Sequence, residues 1–541
     1  MTDKRLTFRA GAREKILRGA TQLSDAVRIT LGPKSKSVLL QRGWGVPLVC
    51  NDGVAIAKEV TLPDPEENLG VQMLRQAAEK TGDAVGDGTS TATILAHALY
   101  ADGVRNVTAG ASAVDLKRGL DRGLAAALGQ LKRISRPVAT RLERAQVATI
   151  AAHNDASIGE FVAEASEKVG GDGVITVEES KSTETALEVV EGLQFDRGYL
   201  SPYFVNVQER MEAVHEDAYI LLTDRKLNTL KELLPLLELL AKAGRPLLAV
   251  ADDVESDTLA TLIVNHVRGV LKCVAVKAPG FGDRRKALLE DLAAITGGEV
   301  ISAELGRKLE ETQLAQLGRA RRVIVDKEHT TIVGGAGDRK VIDGRIAQAR
   351  RERDKATSDY DREQLEQRIA RLAGGVAVIR VGAPTESEMR TRKDALDDAI
   401  CATRAAVAEG IVPGGGLALL KLVPAVAAEE AKCTGDERTG VQMLRRAFEA
   451  PARQIAENSA VDAGVVVARM LAAQDDTGFD AARGEYVNLY AAGIIDPTKV
   501  VRVALENAVS VASTLLLTEA TLTEIPEPKH AAGSSRELAD I

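Results

Sequence analysis

The sequence predicts a multidomain protein that is mainly helical at both ends and α/β in the middle. Between about residues 171 and 301, short strand-like runs alternate with helical stretches, the rhythm of a sheet covered by helices. Both flanks instead place apolar residues at helical spacing. The 541 residues exceed what one hydrophobic core organises, so about three or four domains are expected.

Hydrophobic residues make up 45% of the chain and charged residues 27%, the profile of a soluble globular protein. The net charge of -8 argues against a nucleic-acid binder, which would present a basic face. Cys50, Cys273, Cys401 and Cys433 form no CxxC pair, so neither a disulfide framework nor a zinc site is suggested, and a reducing compartment fits. The start Met1-Thr-Asp-Lys-Arg-Leu-Thr-Phe-Arg-Ala10 lacks the apolar core of a signal peptide, and no run approaches membrane-spanning length. A cytoplasmic chain without membrane contact is expected. The six histidines show no HExxH or triad spacing.

Taken in order, Ile16, Ala20, Leu23 and Val27 share a helical face, and Thr30-Leu-Gly-Pro33 ends that helix. Ser37 to Leu40 and Pro47 to Cys50, joined through Gly43-Trp-Gly45, predict a hairpin. Asn51-Asp52-Gly53 predicts a second tight turn, from which Asp52 projects. Asp64-Pro-Glu-Glu67 is a helix start, with a capping aspartate, proline at the first helical position and glutamate at the third. That helix leads into Gly82-Asp-Ala-Val-Gly-Asp-Gly-Thr-Ser-Thr91. Ala92, Ala96, Leu99 and Gly103 share one face of the following helix, so the hydroxyl run lies on its first turn. Unpaired N–H groups and the positive end of the helix dipole there suit a negative ligand. Asp87 would repel a phosphate unless a cation bridged them, and a hard oxygen ligand suits Mg2+. The stretch reads either as a metal-nucleotide loop or as an ordinary glycine-rich helix cap.

Around Pro137 the pattern loosens. Gly173 to Glu178, Ala218 to Thr223, Pro246 to Val250, Leu271 to Val276 and Glu299 to Ile301 read as strands, with helices between the last four. No GxGxxG follows any of them, which argues against a dinucleotide site. Phe195, Tyr199, Tyr203 and Phe204 put four aromatics into ten residues, and Leu230 to Leu240 holds seven leucines in eleven positions, more than one stripe can face inward. Pro235 within that run should bend or interrupt a helix. Were Tyr199, Tyr203, Phe204, Leu234, Leu237, Leu259, Ile263 and Val264 exposed, the forgone burial would be roughly 1.5 to 3 kcal/mol each, a sum rivalling a domain's whole stability. They are either core or a binding surface for apolar ligands.

Mixed charges from Thr357 to Leu372, around Leu365, Ile369 and Leu372, predict a surface helix, and Ala373-Gly-Gly375 a hinge. Asp394 to Arg404 predicts a helix carrying Asp397 and Asp398. Glu409-Gly-Ile-Val-Pro-Gly-Gly-Gly416 permits close backbone approach to a flat ligand, or is simply a loop. The remainder reads as mostly helical through Asp480-Ala-Ala482 and Asp496-Pro-Thr-Lys-Val500, and the polar tail from Ile525 as disordered.

Thr30-Leu-Gly-Pro33, Asp87-Gly-Thr-Ser-Thr91, Gly192 to Phe204, Lys277-Ala-Pro-Gly-Phe-Gly-Asp-Arg-Arg285, Ala373-Gly-Gly-Val-Ala377, Ala402-Thr-Arg-Ala-Ala406 and Asp496-Pro-Thr-Lys499 occur in this order. With them the chain resembles the group I chaperonins, the GroEL family, nearly end to end. The resemblance implies a mainly helical equatorial ATPase domain from residues 1–136 and 410–525. It further implies a small intermediate domain from 137–191 and 376–409, an α/β apical domain over 192–375, and a tail at 526–541. The implied activity is an ATPase coupled to protein folding. Unfolded polypeptides and a co-chaperonin of the GroES type would meet the eight apolar residues named above, on a homo-oligomer of two stacked seven-membered rings.

By the same resemblance Thr30, Leu31, Gly32, Pro33, Asp87, Gly88, Thr89, Ser90 and Thr91 would surround the phosphates of ATP, with Asp87 on Mg2+ and K+ nearby. Gly415, Ala481, Ala482 and Asp496 would hold the adenosine, with Asp480 beside the adenine. Asp52 and Asp398 would orient the attacking water. Arg197 with Glu386, and Asp83 with Lys327, would act as ion-pair latches. Asn51 stands where the family usually has lysine, Asp480 where it usually has asparagine, and the end of the chain lacks Gly-Gly-Met repeats. An ionised aspartate cannot donate a hydrogen bond as an amide does, so altered nucleotide affinity is expected. Two other classes compete. One is a scaffold of the same fold with weak or no ATP cycling, hinted at by Asn51 and Asp480; the other is a small-molecule kinase, against which the absence of GxxxxGKS/T counts.

Overall fold

The computed structural model describes residues 4–524 apart from 42–46, 171–172, 181, 209, 303, 305, 356–357 and 474. The Gly43-Trp44-Gly45 connection and the tail from Ile525 lie outside the described residues. The chain divides into two compact units, Met1–Ala163 with Asp394–Ile541, and Glu164–Lys393.

The first unit is mainly helical. Arg9–Arg28, Pro65–Val85, Thr89–Thr108 and Ala113–Ile134 come from one end of the chain, Gly435–Ala447 and Thr498–Leu516 from the other. Ile16, Ala20, Leu23 and Val27 are buried as their spacing predicts, in one core with Ala92, Ala96, Leu99, Val501, Ala504, Leu505 and Ala508. The apolar stripes of both chain ends thus share a single interior. Asp64 caps its helix as expected, accepting from the amides of Glu66 and Glu67 at 2.8 and 3.4 Å. Val38–Leu40 and Leu48–Cys50 pair antiparallel, with Val38 opposite Cys50. Strands near both ends go beyond the mainly helical expectation: Lys4–Phe8 and Ala520–Glu524 pair antiparallel, Leu6 opposite Leu522. Where Asn51-Asp52-Gly53 predicts a tight turn, the chain starts a short helix, Gly53–Glu59, with Asp52 as its N-cap.

The second unit is built on a seven-stranded sheet. Ala213–Thr223 lies parallel to Leu247–Ala251 and Val300–Ile301, and Cys273–Lys277 continues beyond Leu247–Ala251. These are the strands the alternating pattern predicts. An antiparallel half, Gly318–Val325, Thr330–Gly335 and Gly192–Phe195, completes the sheet. A second sheet joins Val376–Val381 to Val174–Glu179 in parallel and to Ala186–Val190 antiparallel. Pro235 lies inside the Leu230–Ala243 helix without ending it, because only the bond to the Lys231 carbonyl is lost. The predicted charged helix is Asp359–Gly374, capped by Ser358 and preceded by the helix Arg339–Lys355; its Leu372 is buried.

Of the eight apolar residues expected on a ligand surface, Tyr203, Leu234 and Val264 are exposed, at 69%, 46% and 45%. Tyr199, Leu259 and Ile263 are half-buried against the core. Phe204 and Leu237 correct the expectation, since both side chains are buried. A one-turn 3-10 segment, Pro202–Phe204, started by Ser201, turns the Phe204 ring inward, edge-on to His266 at 5.7 Å. Leu237 falls on the inner helical stripe with Leu233, Leu236 and Leu240. Among the described residues no helix is long and apolar enough to cross a membrane.

Candidate active site

Separate segments of the first unit converge on a cavity of about 420 Å³, within the roughly 300–1,000 Å³ usual for ligand sites. Its lining includes Thr30, Leu31, Gly32, Pro33, Asp52, Asp87, Gly88, Thr89, Ser90, Thr91, Asp398, Gly415, Asp480, Ala481, Ala482 and Asp496. Every residue singled out for the nucleotide therefore meets in one place.

Local structure explains how each arrives. Gly86 closes the Pro65–Val85 helix in the left-handed conformation, φ 70°. A β-carbon there would lie 2.4 Å from Cys401 Cβ, so glycine alone lets the Glu386–Glu409 helix pass this close. Asp398, one turn before Cys401 on that helix, is held over the loop as a result. Gly88 caps the Thr89–Thr108 helix without a side chain, which leaves the first amides of that helix without helical acceptors. Asp87 Oδ1 accepts the Gly88 amide at 2.5 Å. Thr30 Oγ1 donates to the Val27 carbonyl at 2.8 Å and lies 3.0 Å from Ser90 Oγ. Asn458 Nδ2 donates to the carbonyls of Arg28 and Leu31 at 3.0 and 2.8 Å, clamping the Thr30–Pro33 loop from the other end of the chain.

The carboxylate of Asp52 accepts from the amides of Val54 and Ala55 at 3.1 and 2.9 Å. A β-carbon on Gly53 would come within 2.5 Å of Ser90 Oγ, so this turn rests on the same helix start. Across the cavity, Asp496 belongs to Ile495–Pro497, which pairs antiparallel with Ile411–Pro413. Asp480 closes the hairpin of Thr477–Asp480 with Glu485–Asn488, its Oδ1 accepting from the amides of Ala482 and Arg483 at 2.9 and 3.2 Å.

Asp87, Asp398 and Asp496 keep some exposure toward the cavity, yet they lose most of their hydration within it. That loss pushes Asp87 above the usual carboxylate range, Asp52 adding to it while the Gly88 amide and His153 oppose. It raises Asp398 well above that range, with Asp87, Asp52, Asp397 and Asp394 contributing, and raises Asp496 to about 7 with help from Asp87. Carboxylates that hold one another's protons in this way fit a site completed by a cation. Among the described residues no cluster of three or more His, Cys, Asp or Glu could hold a metal alone. The arrangement suits Mg2+, which takes one or two carboxylates and completes its shell with phosphate and water.

The lining also holds Ser35, His153, Asn154 and Ile455, which the glycine and hydroxyl motifs do not point to. His153 and Asn154 lie on a turn between two helices and adopt φ of 54° and 69°. Neither they nor Asn458 has a spacing that marks them in the sequence.

The chain matches the TCP-1/cpn60 chaperonin family over residues 23–526. It is 70% identical over 529 residues to the chaperonin GroEL 5 of Bradyrhizobium diazoefficiens, a match that covers 98% of each chain. The chain belongs to the TCP-1/cpn60 chaperonin family, as an ATP-dependent group I chaperonin that works in protein folding.

Proposed function

We propose that this chain is a subunit of a ring-shaped ATPase that captures non-native polypeptides on an apolar surface and releases them to fold as nucleotide turns over. The observation that carries the reading is the cavity in which Asp87, Asp398 and Asp496 meet the uncapped start of the Thr89–Thr108 helix. Its free amides and hydroxyls suit phosphate oxygens, and its carboxylates suit the counter-ion that accompanies them. Thr30 to Pro33 and Asp87 to Thr91 would surround the phosphates, while Gly415, Asp480, Ala481, Ala482 and Asp496 would face the adenosine. Mg2+, held by Asp87, would neutralise developing charge on the phosphates, and K+ would sit nearby on backbone and hydroxyl oxygens. Asp398 and Asp52 would orient the attacking water, the positioning role that phosphoryl transfer demands.

In this reading the chain has a three-part organisation: equatorial 1–136 and 410–525, intermediate 137–191 and 376–409, apical 192–375. Asp398 then belongs to the intermediate part, and hydrolysis waits for that part to close, a gating step that commits the substrate. Tyr203, Leu234 and Val264 would supply the polypeptide surface, with Tyr199, Leu259 and Ile263 at its margin. The same surface would take a co-chaperonin of the GroES type, and the rings would be two stacked heptamers in the cytoplasm. The reading is tested by refolding a chemically denatured enzyme with this chain, ATP, Mg2+, K+ and a co-chaperonin, ring formation being checked by electron microscopy. Recovery of enzyme activity that requires ATP is expected. Recovery indifferent to nucleotide would leave only a binding scaffold.

A further inference from the structure

The cavity lining holds five aspartates, Asp52, Asp87, Asp398, Asp480 and Asp496, against one histidine and one arginine. Arg483 lies beside Asp480, 3.9 Å from its Oδ2. His153 instead shares the cavity lining with Asp87 and the hydroxyl run. Its backbone is a second, independent observation. The Arg141–Ala151 helix ends at Ala152, and His153 follows in the left-handed conformation. Glycine takes that position after a helix freely, whereas a β-carbon there costs on the order of 1 kcal/mol or more. Asn154, also left-handed, is anchored by donating its amide to the Thr149 carbonyl at 2.8 Å. His153 is exposed and lines the cavity, and its ring makes no hydrogen bond within the chain among the described residues. A strained turn therefore holds up a ring that contributes nothing visible to the fold.

We infer that His153 donates an imidazole N–H to the terminal phosphate of the bound nucleotide and so sets the preference for ATP over ADP. The inference rests on the nucleotide reading above. A neutral imidazole keeps one donor N–H, so the contact does not depend on the ring's protonation.

The test is equilibrium binding of ADP and of a non-hydrolysable ATP analogue, with Mg2+, to the full-length chain and to His153→Gly, alongside thermal unfolding. Glycine removes the ring and relaxes the backbone, so the variant should unfold at the same temperature or higher. Affinity for the ATP analogue should fall about tenfold, the order expected of one hydrogen bond to a charged group, with ADP affinity unchanged. Adding Asn51→Lys to the glycine variant brings a donor from another lining position and should restore the preference for the ATP analogue. Equal loss for both nucleotides, no loss for either, or a lower unfolding temperature would overturn the inference. A parent chain that binds neither nucleotide would overturn the nucleotide reading itself, an outcome visible before any variant is made.

Discussion

Asp480 commits one carboxylate oxygen to the amides of Ala482 and Arg483 and turns the other toward Arg483 at 3.9 Å. An asparagine would keep the capping oxygen and replace the other with a donor NH2. Asp480→Asn is therefore predicted to leave the unfolding temperature unchanged and to raise ATP affinity several-fold; a thermal scan checks the first and calorimetric titration the second, and an unchanged affinity would refute it. Phe204 and Leu237 make the contrasting case. Phe204→Ala should destabilise the second unit by about 3–5 kcal/mol and Leu237→Ala by about 2–5 kcal/mol, as buried side chains do. Tyr203→Glu and Leu234→Glu should leave stability almost untouched and abolish capture of an unfolded polypeptide. Denaturant unfolding with a client-binding assay separates the two pairs. Counting apolar positions revealed a surplus in this region, but composition alone could not say which members point outward. A one-turn 3-10 segment decides that for Phe204, and helical phase decides it for Leu237.

At the scale of elements, loop and helix meet where Gly86 touches Cys401. Gly86→Ala should cost roughly 1–3 kcal/mol for the left-handed conformation, and the added methyl should push the Glu386–Glu409 helix away from the loop. Loss of ATP turnover beyond the loss of stability is expected. Turnover equal to that of the parent would show that this approach does not position Asp398.

His266, in the last turn of the Ser256–Val267 helix, meets the ring of His215 edge to face at 6.0 Å. Burial, with help from neighbouring His266 and Lys272, lowers His215 from 6.5 to about 4. Above pH 6.5 both the folded and unfolded forms of this residue are neutral, and it adds no pH dependence. As pH falls from 6.5 to about 4 the unfolded chain takes up a proton that the folded one refuses, so stability is lost, by about 3 kcal/mol in full. His215→Leu should flatten that fall, as read by urea unfolding between those limits.

Helices with clean 3.6-residue stripes were legible, as were the parallel strands, whose runs are almost wholly apolar. The antiparallel half of the sheet was hidden because Gly318–Val325 carries arginines, which on folding pair with Glu178 and Glu216 at 3.4 and 3.2 Å. Lys4–Phe8 was hidden because its partner lies at the opposite end of the sequence.

For the whole molecule, the two units have separate cores, one lined by helices from both chain ends and one wrapped round the large sheet. In the proposed function ATP turnover would join them: nucleotide held in the first unit would govern whether the apolar residues of the second hold or release a client. Part of the candidate site was legible in the run Gly82 to Thr91, which reads from its residues as either a phosphate loop or a helix cap; the resemblance to the chaperonins, not local pattern, pointed to Asp52, Asp398, Gly415, Asp480 and Asp496. What stayed hidden, His153 and Asn458, acts through a turn and a long-range clamp that no local pattern encodes. The central claim turns on Asp398, which the structure brings to the cavity on the same helix that presses on Gly86. The most direct test is the rate of ATP hydrolysis by Asp398→Ala at saturating Mg2+ and ATP. The account predicts a fall of about 10²-fold or more, in line with the loss of a positioned catalytic group, with nucleotide still bound. Hydrolysis at the parent's rate would contradict it.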